Sequence, residues 1–325
     1  MNRVFSKIVM AIVIALGLIG LSPSSSPTRA AEQALFPVGV AYDPAAGRFL
    51  ISSLSQGTVT AVKDDGTMQP FVEDAALVST VAVKVDPQRQ RLLVTNANWG
   101  LNAHSGKDTV GKLAGLGIYN LLTGKQIAYV DLGTLRPDSP HFVSDVALDD
   151  AGNAYVTDSL SPVIYQVDPK GKASIFVEDK RLTSKGRSPI SLVYHPDGYF
   201  IVGIPDSGAL FKISLANPKE FSRVAGVPKF LGVNSMVLMP DGKLAIAQSL
   251  GTDSAVFLLN SANGWKTATI NGAVSGGEKP GIVLTLRGGD LYALVSPVNI
   301  LTASNAPSSP EKVEIRKVDF LSCRC

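Results

Sequence analysis

The sequence predicts an all-β fold, a six-bladed β-propeller with four-stranded antiparallel blades, and three observations carry that expectation. A strand–turn–strand pattern recurs along the chain, beginning at Val38, Val81, Ser144, Ile190 and Asn234, with a weaker copy at Gly281. The starts are separated by 43, 63, 46, 44 and 47 residues. A period in the forties with about four strands per unit is the signature of a propeller. Further strand-like runs follow the copies, among them "GTVTAVKDDG", "PVIYQVDPKGKASIFVED" and "ALFKISLANPKEFSRVAG". A β-sandwich would need a similar number of strands but not this regular restart.

The copies read in order as "VGVAYDPAAGRFLIS", "VAVKVDPQRQRLLVT", "SDVALDDAGNAYVTD", "ISLVYHPDGYFIVG", "NSMVLMPDGKLAIAQ" and "GIVLTLRGGDLYALV". In each, an apolar or alternating run of about five residues suits a strand, and the Asp, Pro and Gly between two such runs suit a tight turn. Those turns lack the D-x-[DN]-x-[DN]-G spacing of a calcium loop and read as hairpins. Two places break the period. The stretch "NANWGLNAHSGKDTVGKLAGLG" reads as a long loop on one face, and "SPVNILTASNAPSSPEK" as an exposed loop inside the last blade, after which "VEIRKVDF" supplies a further strand of blade six.

The ends have their own reading. Arg3 and Lys7 precede an apolar run from Ile8 to Leu21, and small residues surround Ala30 and Ala31, so residues 1–30 read as a secretory signal and 31–325 as one propeller domain. The apolar run is shorter than the roughly 20 residues of a spanning helix. The reading therefore includes no membrane span beyond the signal, with an uncleaved anchor as the alternative, and places the protein outside the cell or in the periplasm. The whole chain has 30 Lys and Arg against 27 Asp and Glu, and removing the signal takes away Arg3, Lys7 and Arg29, leaving a formally neutral chain. Basic clusters such as "DKRLTSKGR" lack interleaved aromatics, which excludes a nucleic-acid partner. Cys323 and Cys325 are the only cysteines and could close only a strained ring, so disulfides do not stabilise the fold. A closed ring of this size is expected as a monomer.

In a propeller the first strand of each blade lines the central channel, so the starts of the six copies form one constellation. These are Val38, Val81, Ser144, Ile190, Asn234 and Gly281, followed by Gly39, Ala82, Asp145, Ser191, Ser235 and Ile282. On "FPVGVAYDP", "SDVALDDAGNAYVTDS" and "LVYHPDGY" the chain, over roughly Leu35 to Val295, resembles the senescence marker protein (regucalcin) and gluconolactonase family. These are six-bladed propellers similar to paraoxonase-type lactonases and to proteins labelled calcium-dependent phosphotriesterases. The resemblance implies a divalent metal held by a Glu from the first blade, an Asn from a middle blade and an Asp from the next, with a third-blade Asn orienting substrate. By copy order those positions fall on Val38, Ile190, Asn234 and Ser144, and all four depart from the family pattern.

Calcium takes six to eight oxygen ligands, with carboxylates supplying charge. Asp145 and Asn234 are the only metal candidates left, and Ca²⁺ or another divalent ion would be weakly held. The channel-lining binding candidates are Ser144, Asp145, Ser191, Asn234 and Ser235. Asp145 and His141 are the candidates for a general base, with a solvated loop histidine as the other reading of His141. His104, in the long insertion, could reach over the channel mouth as part of a lid. His195, Asp158 and Asp206 read as turn-capping residues, and Trp99 and Trp265 as packing or loop anchors. The sequence contains no H-E-x-x-H, G-x-S-x-G, P-loop, C-x-x-C or N-x-[ST] motif. Two functions follow. One is an exported gluconolactonase-like propeller with a degraded metal site that binds a small molecule or a protein partner. The other is a divalent-metal-dependent lactonase or esterase using a shifted ligand set around Asp145 and Asn234.

Overall fold

A computed structural model describes residues 35–102, 105–251, 253–277, 281–296 and 313–320. Six antiparallel sheets follow one another along the chain. Blade one is β1 (Pro37–Asp43), β2 (Arg48–Ser53), β3 (Thr58–Val62) and β4 (Met68–Glu73), and blade two is β5 (Ser79–Asp86), β6 (Arg91–Ala97), β7 (Ala114–Asn120) and β8 (Gln126–Asp131). Blade three is β9 (Val143–Leu148), β10 (Ala154–Asp158), β11 (Val163–Val167) and β12 (Ala173–Glu178). Blade four is β13 (Ser191–His195), β14 (Tyr199–Ile204), β15 (Ala209–Ser214) and β16 (Phe221–Arg223). Blade five is β17 (Val233–Leu238), β18 (Leu244–Leu250), β19 (Asp253–Asn260) and β20 (Thr269–Gly277), and blade six is β21 (Gly281–Arg287), β22 (Asp290–Ser296) and β23 (Glu314–Lys317). This is the six-bladed propeller that the repeat predicts. Five blades have four strands, and the sixth has three among the described residues. The secretory signal, His104, Cys323 and Cys325 lie outside the described residues. Among the described residues no helix is long and apolar enough to cross a membrane.

Each blade follows the same burial gradient. The second strands β2, β6, β10 and β14 are buried along almost their whole length, whereas the outermost β4 and β12 are mostly exposed. A strand packed on both faces must be apolar throughout, which is why "LLVT" and "YFIVGI" do not alternate. Neighbouring blades interlock through their faces: Tyr155 of blade three meets Phe200 of blade four with ring centroids 4.5 Å apart. The turn after β9 needs a left-handed residue, and Gly152 supplies it at φ +84°.

The inner strands are not plain strands. In blades one, two and three the register between first and second strand slips, so that Val38–Gly39 faces Ser52, Val81–Ala82 faces Thr95 and Ser144–Asp145 faces Thr157. In blade five the slip leaves Asn234 as the extra residue. These are β-bulges, which put two residues opposite one and re-aim the side chains. The residue opposite each of the first three bulges carries a hydroxyl, and each hydroxyl is used. Ser52 Oγ donates to the Val81 carbonyl at 2.5 Å, Thr95 Oγ1 accepts from Ala82 N at 2.7 Å, and Thr157 Oγ1 accepts from Asp145 N at 3.0 Å. Blades four and six pair without a slip.

Candidate functional site

The bulged ends of the inner strands surround an axial channel of about 400 Å³. Its lining is almost evenly polar and apolar, with Val38, Val81, Val146, Ile190, Met236 and Leu284 among its aliphatic members. Its polar side chains include Lys84 on β5, Asp145 on β9, Asn234 on β17 and Thr285 on β21. Of the sequence-derived binding candidates, Ser144, Asp145, Asn234 and Ser235 line the channel, while Ser191 stands behind it as a hydrogen-bond partner of Asp145.

Asp145 is a strut between blades. One carboxylate oxygen accepts from the Val146 amide at 2.8 Å; the other accepts from Ser191 Oγ at 2.8 Å and from the Leu192 amide at 3.1 Å, both on blade four. Burial pushes its carboxyl above the usual carboxylate range, against these hydrogen bonds and the nearby charge of Lys84. The neighbouring hydroxyls are committed as well. Ser144 Oγ donates to the Phe142 carbonyl at 3.0 Å, and Ser235 Oγ accepts from the Leu284 amide at 3.0 Å, a second blade-to-blade bond. Asn234 donates through Nδ2 to Ser249 Oγ at 2.9 Å, and its Oδ1 is buried with no hydrogen-bond partner.

His141 does not line the channel, and the geometry corrects its reading as a general base. Its Nδ1 lies 2.7 Å from Asp158 Oδ2 and its Nε2 lies 3.0 Å from the Arg136 carbonyl. A carboxylate and a carbonyl are both acceptors, so both ring nitrogens must carry protons and the ring is an imidazolium. With neither nitrogen free, it cannot take a proton from a substrate. Burial works to lower its pKa, but the hydrogen bond to Asp158, the charge of Asp158 and the Arg136 carbonyl lift it above the ordinary histidine value. The Tyr165 hydroxyl closes the cluster at 3.3 Å from Nδ1, and burial pushes its pKa up. The solvated-loop reading of His141 fails too, since the side chain is only 2% exposed.

Asp158 does cap its turn, accepting from the Phe142 and Leu160 amides at 2.9 and 3.1 Å, but it is also the counter-ion of His141. The sequence did hold a signal for this pair. His141 precedes β9, Asp158 ends β10, and the antiparallel register that pairs Asp158 with Val143 brings the two side by side. His195 caps its turn as expected, accepting from the Asp197 amide at 3.2 Å, and stacks on Tyr199 at 4.4 Å. Asp206 lies 3.9 Å from the Arg187 guanidinium. Trp99 packs edge-on against Phe142 at 4.8 Å, and Trp265 is buried, so both are packing residues.

The donor set does not fit calcium. Among the described residues no three His, Cys, Asp or Glu side chains converge as a metal site would require. The channel's one carboxylate already serves three donors, and the amide oxygen of Asn234 offers a single neutral ligand.

No family model and no curated protein matches the chain. Among solved structures, the chain is similar to a virginiamycin B lyase from Staphylococcus aureus, at 13% identity and a TM-score of 0.57 over 89% of this chain and 86% of that one. It is similar to a gluconolactonase from Xanthomonas campestris, at 17% identity and a TM-score of 0.56 over 82% and 84%. A protein of unknown function from Bacteroides thetaiotaomicron aligns at 15% identity and a TM-score of 0.61 over 89% and 70%. At these identities the likeness is one of fold, shared with a lyase and a lactonase alike.

Proposed function

We propose that the protein is an exported, gluconolactonase-like propeller that holds a small molecule in its channel and carries a degraded version of the central metal site. The observation that carries this is the commitment of Asp145: a carboxylate that accepts from Ser191 Oγ and the Leu192 amide is holding two blades together and has little left for a cation. Val38 and Ile190, where the resemblance calls for metal ligands, are aliphatic members of the channel wall. A calcium titration by calorimetry on chelator-stripped protein, repeated with Asp145→Ala, tests it. No heat from either protein is the expected result. Tight one-site binding lost in the variant would overturn it.

That second outcome would favour a metal-dependent lactonase or esterase built on Asp145 and Asn234. The observation on its side is the unpaired, buried Oδ1 of Asn234. It requires metal-stimulated turnover of a lactone, aryl ester or phosphotriester that Asp145→Ala abolishes. Residues 1–30 are read as the export signal, so protein recovered from the extracytoplasmic fraction should begin at Ala31 by N-terminal sequencing. Light scattering should give the mass of a monomer.

A further inference from the structure

His141 joins three segments next to the bulge of β9. Its Nδ1 meets Asp158 Oδ2 at the end of β10, and its Nε2 meets the Arg136 carbonyl in the connection from β8 to β9. Its amide donates to the Gly111 carbonyl at 2.7 Å. Titratable and charged groups face it from each neighbouring segment. Tyr165 of β11 has its hydroxyl 3.3 Å from Nδ1, and the Arg136 guanidinium pairs with Glu178 of β12 at 3.1 Å. Asp131, at the end of β8, accepts from the Gly133 amide at 2.9 Å, and Lys112 is exposed. Two acceptors need two ring protons, so a neutral ring can keep only one of its bonds. A bare Nδ1 would set its lone pair against a buried carboxylate, whereas a bare Nε2 faces a neutral carbonyl. Nε2 therefore gives up the proton, and the Arg136 carbonyl loses a donor, keeping only the Ser139 amide at 3.0 Å.

We propose that His141 is a proton-operated latch on the connection formed by residues 132–140. Charged, it fastens the connection to blade three; neutral, it holds Asp158 and releases the connection. The other ties of that segment lie near its ends, where Leu132 N donates to the Ala114 carbonyl at 2.8 Å and Ser161 Oγ donates to the Pro140 carbonyl at 2.7 Å. Between them the Arg136 guanidinium reaches an exposed Glu178, a pair that water screens. Burial acts to lower the His141 pKa, but the bond to Asp158, its charge and the Arg136 carbonyl raise it above the ordinary value. The latch is closed through the ordinary histidine range and opens on its alkaline side. The connection runs straight into β9, whose Ser144 and Asp145 line the channel, and the latch does not depend on what the channel holds.

The test is amide hydrogen exchange of the full chain from about pH 5.5 to 9, corrected for the intrinsic rate, together with nitrogen-15 spectra of the histidine rings. Protection of the Leu135, Arg136 and Ser139 amides should fall about tenfold with rising pH, the worth of one hydrogen bond to a charged group. A low concentration of urea should leave that exchange unchanged, the mark of a local opening, while it speeds exchange in β6. The neutral His141 ring should carry its proton on Nδ1. His141→Gln, which cannot titrate, should lose the pH dependence. Protection that is constant with pH, an equal fall in His141→Gln, or a fall as sensitive to urea as that of β6 overturns the latch. A neutral ring protonated on Nε2 overturns it too, because Asp158 rather than Arg136 would then be released. Should His141→Gln fail to fold, pH itself is the perturbation, and the exchange and ring spectra of the wild type decide.

Discussion

Blades three and four are joined from within, whereas blades six and one are joined at the surface. On one side the joint is Asp145 to Ser191 and Leu192, set close to the buried His141–Asp158 pair. On the other it is Arg287 of blade six, whose guanidinium forks onto Asp64 of blade one at 2.6 and 2.7 Å and lies over the ring of Tyr42 at 5.0 Å. Beneath it Phe49 of blade one and Tyr292 of blade six meet at 5.5 Å. The same geometry, one sheet against the next, is thus fixed by polar groups in two different dielectrics. Water screens the Arg287 pair and supports either partner alone, whereas a buried partner left alone has nothing to replace what it lost. The inner joints should therefore break hard and the outer one softly.

The largest effect is expected at Asp158. Asp158→Ala strands a buried imidazolium and leaves the Phe142 and Leu160 amides without their acceptor. Breaking a buried pair in this way costs about 3–5 kcal/mol. Urea unfolding near neutral pH should show it as a lower midpoint with an unchanged slope. His141→Phe should also destabilise, and the double variant should lose less than the two single losses added together.

The same pair can be loosened without mutation. The His141 pKa is raised in the folded protein, so its contribution to stability is complete below the unfolded value, about 6.5, and is lost as pH rises through the higher folded value. Unfolding free energies measured across that range should fall with rising pH for the wild type and stay flatter for His141→Phe. Equal slopes for the two proteins would mean that His141 is not charged in the native state.

The next effect in size is at Asp145. Asp145→Ala takes the acceptor from Ser191 Oγ and the Leu192 amide, about 1–3 kcal/mol for leaving a buried donor unsatisfied. Removing a carboxyl whose own burial is unfavourable offsets part of that loss. Asp145→Asn keeps an acceptor and sheds the charge, so it should cost less than Asp145→Ala in the same urea experiment. The opposite order would mean that the charge itself is needed, as a cation site would require.

Why the outer architecture was legible and the channel was not follows from how each is specified. A strand needs only a run of suitable residues and a turn only an Asp, Pro or Gly in place, so "HPDG" and "MPDG" announce their hairpins and "VEIRK" announces β23. The channel side chains depend on bulges, and a bulge is a slip of one strand against another that neither strand encodes alone. Asn234 and Ser144–Asp145 sit where they do because of such slips. His141 illustrates the other limit. Its position before β9 is plain in the sequence, but its charge depends on a carbonyl from Arg136, in a 3-10 turn region that no periodicity foretold.

The smallest effect is expected at the outer joint. Arg287→Ala removes a fork to an exposed carboxylate and a cation from the rings of Tyr42, Phe49 and Tyr292. The aromatic contacts and the apolar cluster of Leu35, Val40, Phe49, Ile51, Val62 and Leu294 remain, so the two blades stay packed. The loss of stability should be only a fraction of that at Asp158. Salt separates the two parts of the clamp, because the Asp64 pair is screened over about 8–10 Å at ordinary ionic strength whereas contact with the rings is not. Asp64→Ala should therefore become indistinguishable from wild type in high salt, while Arg287→Ala keeps a residual deficit. If Arg287→Ala instead matched Asp158→Ala, the seam between blades six and one would depend on this one side chain, and the apolar cluster would not be enough to close the ring.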